Sequence, residues 1–264
     1  MREFSEDYLH RTRRGMWDDS RDALEPLELA SHERVLDVGC GTGELSRVLA
    51  DDSPGEVIGC DVDLELLSIA RERVPVVASD ARRLPFSADA VDLVVCQALL
   101  INLPDPAAAL EEFARVSSDL VAAVEPNNAA VAVDSSVDAE NDLERRARTA
   151  YLDGVETDVA LGSDASETFE AAGIDVLETR RYDHVRTIEP PYSDHALIAA
   201  RRKATGAGLA DDRETMLSGE LTEAEYDELR SAWREMGRTA IEQMESGEYR
   251  RTEAVPFFVT VGRV

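Results

Sequence analysis

Between Val35 and Ala50 the chain reads VLDVGCGTGELSRVLA, a β-like apolar run that breaks at Gly39, Gly41 and Gly43 and then enters a helical pattern. Glycines at alternate positions let the backbone turn sharply and aim its N–H groups, with a helix N-terminus behind them, at an anionic ligand group. The spacing is G-x-G-x-G, not the G-x-G-x-x-G of dinucleotide sites. Asp37 stands just before it, inside the strand end. A carboxylate there is poorly placed beside a pyrophosphate and well placed beside an ammonium group. Asp61 ends a second apolar run, about 20 residues past the glycines, where a carboxylate accepts from both hydroxyls of a ribose.

Such a loop works only if strands and helices hold it. Short β-like runs at 34–38, 56–60, 75–78, 91–95 and 120–124 alternate with helical patterns, the signature of βαβ units around a parallel sheet. Leu45, Val48 and Leu49 share one helix face over 43–50, Asp63 is placed to cap a helix over 64–73, and Asp105-Pro106 supplies a cap followed by proline at the first helical position. Beyond 125 the rhythm changes. A polar stretch over 126–164 holds one helix near 139–150; a helix over 167–172 stops at Gly173, and a long strand runs from 174 to 185. In the helical block 188–254, Thr222 and Glu225 fit a capping box, while Tyr226, Leu229, Trp233, Met236, Ala240 and Met244 recur at spacings of three and four. That pattern predicts an amphipathic helix over 223–246, its stripe serving as packing for a cap or a dimer contact. A strand at 256–261 closes the chain. No linker rich in Gly, Ser or Pro marks a boundary.

Carboxylate, ammonium and ribose on one ligand describe S-adenosylmethionine, and at this point the chain resembles the class I S-adenosylmethionine-dependent methyltransferases. Within them it is similar to the small-molecule group with a ubiquinone/menaquinone-methyltransferase-like core. The matching segments come in the family's order: VLDVGCGTG (35–43), VIGCDVD (57–63), SDARRLPFSADAVDLVVC (79–96), LINLPDPAAALEEFARV (100–116) and VAAVEP (121–126). The resemblance implies an α/β fold, a three-layer Rossmann-like sandwich with a mostly parallel seven-stranded sheet whose last strand is antiparallel, plus helical insertions. The expected organisation is one domain over 1–264. In it 1–30 form a helical cap, 31–125 the cofactor core, 126–164 and 188–254 insertions, and 165–187 and 255–264 complete the sheet.

The same resemblance assigns Asp37 to the methionine ammonium, directly or through water, and the loop of Gly39, Cys40, Gly41 and Gly43 to the methionine portion. It gives Asp61 the ribose hydroxyls, Val62 the face of the adenine, Asp80 the adenine amino group and the Ala81 backbone N–H a ring nitrogen. Gln97 lies at the edge of the methyl-donor pocket. Plain structural roles stand beside these, Asp80 as a turn cap and Val62 as core. The chain departs from the pattern twice. Ile101-Asn102 replaces the paired histidines of many relatives, and Ser117-Ser118-Asp119 replaces the usual Pro-Gly-Gly.

Methyl transfer is an in-line displacement, so alignment and exclusion of water matter more than a dedicated base. Catalytic residues therefore carry no signature here. Acceptor contacts are expected from Tyr8, Arg14, Trp17, Asn102, Glu125 and Asn127, with Arg13, Asn128, Tyr151 and Tyr192 in the same segments and His10 and His195 as candidate bases. Trp17 serves as well for packing on the sheet. The expected function is methyl transfer from S-adenosylmethionine to a small molecule by a cytoplasmic monomer or homodimer. The alternatives are an RNA or protein methyltransferase and a non-catalytic S-adenosylmethionine-binding protein.

Composition adds limits. The chain of 264 residues carries a formal net charge of -27, and Lys203 is the single lysine. Acids are spread from Glu3 to Glu253 rather than gathered in a tail. This composition resembles that of salt-accumulating halophiles, whose self-repulsion is screened at about 1 M salt. No basic stripe interleaved with aromatics points to nucleic acid. No apolar run approaches the ~20 residues of a membrane span. Three isolated cysteines, Cys40, Cys60 and Cys96, and four isolated histidines give no metal spacing, and the cysteines are expected to be small buried residues.

Overall fold

The β-like runs become strands because they are apolar on both faces, as a parallel sheet covered by helices requires. In β1 (Arg34–Val38) all but the first residue are buried, and β4 (Val91–Gln97) is buried from Leu93 to Cys96. The computed structural model describes residues 12, 13, 15–18 and 20–264, and they form two compact units. The first holds the residues up to Asn127 together with Ala160–Tyr182 and Phe257–Val264; the second holds Asn128–Val159 and Asp183–Pro256.

In the first unit β1, β2 (Glu56–Asp61), β3 (Val76–Ala78), β4 and β5 (Ser117–Pro126) are parallel, and the 257–263 part of β8 (Arg251–Arg263) pairs antiparallel with β5. Their order is β3-β2-β1-β4-β5-β8, with β7 (Asp175–Ile188) also on β8. The order reverses between β1 and β4, the place where open α/β sheets open a crevice at the carboxyl ends of their strands. Helices α1 (Glu44–Asp52), α2 (Leu64–Ala70) and α3 (Pro106–Val116) form the crossovers. Their caps are those read from the sequence: Asp63 accepts from Glu65 N and Leu66 N, and Asp105 from Ala108 N ahead of Pro106. A further helix, α5 (Ala165–Ala171), precedes β7.

The second unit is helical: α4 (Glu140–Gly154), α6 (Asp194–Thr205), α7 (Ala207–Asp211), α8 (Arg213–Ser218) and α9 (Glu223–Glu245). The capping box at Thr222 and Glu225 is formed, and the stripe Tyr226, Leu229, Trp233, Met236, Ala240, Met244 is buried inside this unit's own core. Within it the 251–254 stretch of β8 pairs antiparallel with β6 (Ala132–Ser135). That strand is one more than the seven expected. Only Val133 of its four residues is buried, so it left no apolar run to read.

Candidate functional site

The glycine loop leaves β1 at the switch point. Gly39, Gly41 and Gly43 have φ of 72°, 53° and 81°, the left-handed region that other residues enter only with strain. The N–H groups of Gly39 and Cys40 both donate to Cys60 O, at 2.8 and 3.0 Å, which pins the loop to β2. Asp61 completes the fastening. Its Oδ2 accepts from Gly41 N at 2.8 Å and its Oδ1 from Asp63 N at 2.9 Å. Each carboxylate oxygen has a second lone pair, so Asp61 still has acceptor capacity for a ligand hydroxyl.

Asp37 is 1% exposed. The hydroxyl of Ser46, on the inward face of α1, donates to its Oδ2 at 2.5 Å, while Oδ1 has no hydrogen-bond partner. Burial pushes the carboxyl up to about 7, the Ser46 bond opposes the rise, and the negative charge of Asp61 adds to it. A buried acceptor without a donor, next to a second acid, fits a cation: a ligand ammonium would supply the missing donor and offset the repulsion. Ser46 was missed by sequence reasoning. Its signal was a hydroxyl on the apolar face between Leu45 and Val48.

At the end of β3, Ser79 N donates to Asp61 O at 2.9 Å, bringing the Asp80 turn beside β2. Asp80 accepts from Arg82 N at 2.9 Å and pairs with the Arg82 guanidinium at 2.7 Å, so its carboxylate caps this turn. Those bonds hold it below the usual carboxylate range. Ala81 is buried. Val62 is 55% exposed, which removes the reading of it as core and leaves its side chain open as a surface.

The acceptor candidates divide. Tyr8, Arg14 and His10 lie outside the described residues. Trp17 is buried and stacks on Tyr182 with ring centroids 4.8 Å apart, while its Nε1 has no hydrogen-bond partner. The Tyr182 hydroxyl donates to Met16 O, and Met16 Sδ faces Gln97 Nε2 at the end of β4. Arg13 lies over the Phe257 ring. Asn102 donates from Nδ2 to Ala98 O at 2.8 Å, and its buried Oδ1 is without a partner. Asn127 approaches Gly162, where a Cβ would come within 2.8 Å of its own. Asn128, Tyr151 and Tyr192 belong to the second unit; there Asn128 donates to Val159 O, Tyr192 donates to Tyr249 O, and Tyr151 is packed against the core.

Glu125 is placed differently from an acceptor contact. It is fully buried, its Oε1 accepts from Leu99 N and Leu100 N at 3.0 and 2.9 Å, and its Oε2 accepts from Ile101 N at 3.3 Å. Burial pushes it up to about 7 against those bonds and the charge of Arg13. The three cysteines are buried, and burial pushes Cys60 up to about 12 and Cys96 well above the usual thiol range. They serve as packing. Among the described residues no cluster of His, Cys, Asp or Glu is set to hold a metal.

Comparison with known proteins places the core beside one family. Residues 36–119 match the family described as "Methyltransferase domain". The demethylmenaquinone methyltransferase of Lactiplantibacillus plantarum is 37% identical over 107 residues, covering 36% of this chain and 45% of that protein. The chain therefore spans less than half the length of that relative. In fold it is similar to a Bacillus halodurans protein, with a TM-score of 0.52 at 19% identity over 92% of this chain and 98% of the other. It is similar also to the [4+2]-cyclase SpnF, with a TM-score of 0.51 at 20% identity over 95% of this chain and 83% of the other.

Proposed function

We propose, from the premise that this chain carries the core of a class I S-adenosylmethionine-dependent methyltransferase, that it transfers a methyl group to a small-molecule acceptor. The observation that carries this reading is the pairing of a buried, under-bonded Asp37 with Asp61 and a left-handed glycine loop at the sheet's switch point. The bound cofactor supplies an electrophilic methyl group on a sulfonium. Asp37 holds the ammonium end, Gly39, Cys40, Gly41 and Gly43 hold the methionine portion, and Asp61 takes the ribose hydroxyls. Val62 offers its exposed face to the adenine, with Asp80 and Ala81 at the edge of that ring. Because the Asp80 carboxylate is held by Arg82, it receives the adenine amino group only on its remaining lone pairs.

Gln97, Trp17, Asn102 and Asn127 border the acceptor side. Trp17 and Asn102 each leave one buried polar atom unpaired, a donor and an acceptor that a polar acceptor molecule would satisfy. The protein is proposed to align the acceptor in line with the donor and exclude water, with no base dedicated to the reaction. No helix among the described residues is long and apolar enough to cross a membrane. The protein is proposed to act as a cytoplasmic monomer or homodimer.

Titration calorimetry with S-adenosylmethionine and S-adenosylhomocysteine in molar salt tests the reading. Wild type binds both, and Asp61→Ala binds at least about tenfold more weakly, one lost charge-assisted contact being worth about 1.4 kcal/mol or more. No binding by the wild type, or unchanged binding by the variant, overturns the site. Label from a methyl-labelled donor is expected in the low-molecular-weight fraction of a cell extract; label in RNA or protein would replace the acceptor class.

A further inference from the structure

Glu125 is a fully buried carboxylate, and both of its oxygens accept backbone N–H bonds from one segment, with the Cys96 thiol also 3.8 Å from Oε1. What it holds is the segment following β4. Leu99 N, Leu100 N and Ile101 N all donate to it, and the segment begins at Ala98 with a φ of 47°, a left-handed conformation that a residue with a side chain adopts only when its surroundings impose it. Ala98 N is tied in turn to Val124 O at 2.8 Å, on the same strand as Glu125. The consequence appears on the far side of the switch point. A Cβ on Gly39 would lie 2.9 Å from Leu99 Cδ1 and 3.2 Å from Cδ2, so the Leu99 side chain is seated directly on the first glycine of the loop.

We infer that Glu125 is a positioning residue for the cofactor loop, acting from β5 through the backbone of 99–101 and the Leu99 side chain on Gly39. This rests on the methyl-transfer reading of the loop. The chain of contacts joins three strands that are adjacent in the sheet, β1, β4 and β5, at their carboxyl ends. It runs through groups with little freedom: three N–H bonds to one carboxylate, a tight turn, and a branched side chain against a glycine without a Cβ. The acceptor side feeds into the same chain. Arg13, over Phe257, contributes a favourable charge to Glu125, and Phe257 belongs to β8 beside it. Asn102, with its buried unpaired oxygen, closes the segment that Glu125 organises. The carboxylate therefore sets at once the turn that bears an acceptor contact and the seat of the cofactor loop.

A double-mutant cycle on S-adenosylhomocysteine binding tests it, using Glu125→Gln, Leu99→Ala and the double variant by calorimetry in molar salt, each checked for folding by its thermal transition. Gln keeps the size of the side chain but turns an amide N–H₂ toward at least one of the donors. Each single variant is expected to weaken binding about tenfold, and the double variant no more than either alone, because both remove the same link. Additive losses, or wild-type affinity in folded Glu125→Gln or Leu99→Ala, overturn the inference. If Glu125→Gln does not fold, Leu99→Ala decides: unchanged affinity there refutes the link. The wild-type titration separates this outcome from failure of the methyl-transfer reading, which would show as no binding before any substitution is made.

Discussion

Two carboxylates in the first unit are raised to about 7 by burial, and their neighbours give them opposite tasks. Glu125 is fully buried and accepts from three backbone N–H groups of one segment, so its work is internal. Asp37 meets one hydroxyl and leaves Oδ1 bare. The folded value of Asp37 lies above its ordinary 3.8, so its contribution to the stability of the empty protein is full below about pH 4 and is lost as pH rises through about 7. Binding runs the other way, since an ammonium prefers the ionised carboxylate. S-adenosylhomocysteine affinity is expected to fall as pH drops below about 7, by up to about tenfold per unit, and to lose that dependence in Asp37→Asn. A pH-independent wild-type affinity would remove Asp37 from the ammonium. At this scale the positions of Asp37 and Asp61 near the ends of β1 and β2 were legible in the sequence. The inward turn of Glu125 was not, because a glutamate at a strand's carboxyl end reads the same whether it faces a ligand or a neighbouring backbone.

Elements were read well where one face of the chain declares itself. The runs of β1, β2 and β4, the cap at Asp63, the Asp105-Pro106 start and the Thr222 box are local signals, and the structure places each where the spacing put it. β6 was missed because its pairing with β8, not its composition, makes it a strand. Helix α9 shows what local pattern leaves out. Its apolar stripe predicted the buried face, but the closeness of its packing depends on Gly237, where a Cβ would lie 2.2 Å from Ala204 N and 2.4 Å from Lys203 C in α6. Gly237→Ala is therefore expected to destabilise the protein by about 2 kcal/mol despite the better helix propensity of alanine. Urea unfolding checks this, and a midpoint at or above the wild-type value would show that α6 and α9 give way freely.

Over the whole molecule the charge of -27 separates into a coat and a few placed groups. Lys203, the only lysine, is not part of the coat. It pairs with Glu140 and Glu144 inside the second unit and lies over the Trp233 ring. Glu140 is itself fully buried, taking hydrogen bonds from Ser135 and the Tyr249 hydroxyl. Nearby, burial opposes ionisation of Glu253, yet Arg186 and Arg251 carry it down to about 2. Buried pairs of this kind are screened little by salt, whereas the exposed acids are screened strongly. The thermal midpoint is accordingly expected to climb as potassium chloride is raised from about 0.1 to about 1 M and the screening length shrinks toward ~3 Å. A midpoint that is flat or falls over that range would contradict the salt-adapted reading of the composition.

What the sequence by itself determined is the crossover core and the acids at its first two strand ends. Strand periodicity, glycine spacing and helix caps are set by residues close in the chain. Tertiary structure decided how these parts are coupled. That Leu99 rests on Gly39, that Glu125 holds Leu99 from the next strand, and that the lone lysine is enclosed by glutamates are contacts between distant segments. They arise only when the sheet order brings β1, β4 and β5 side by side and the helices close on one another, and no local spacing encodes them.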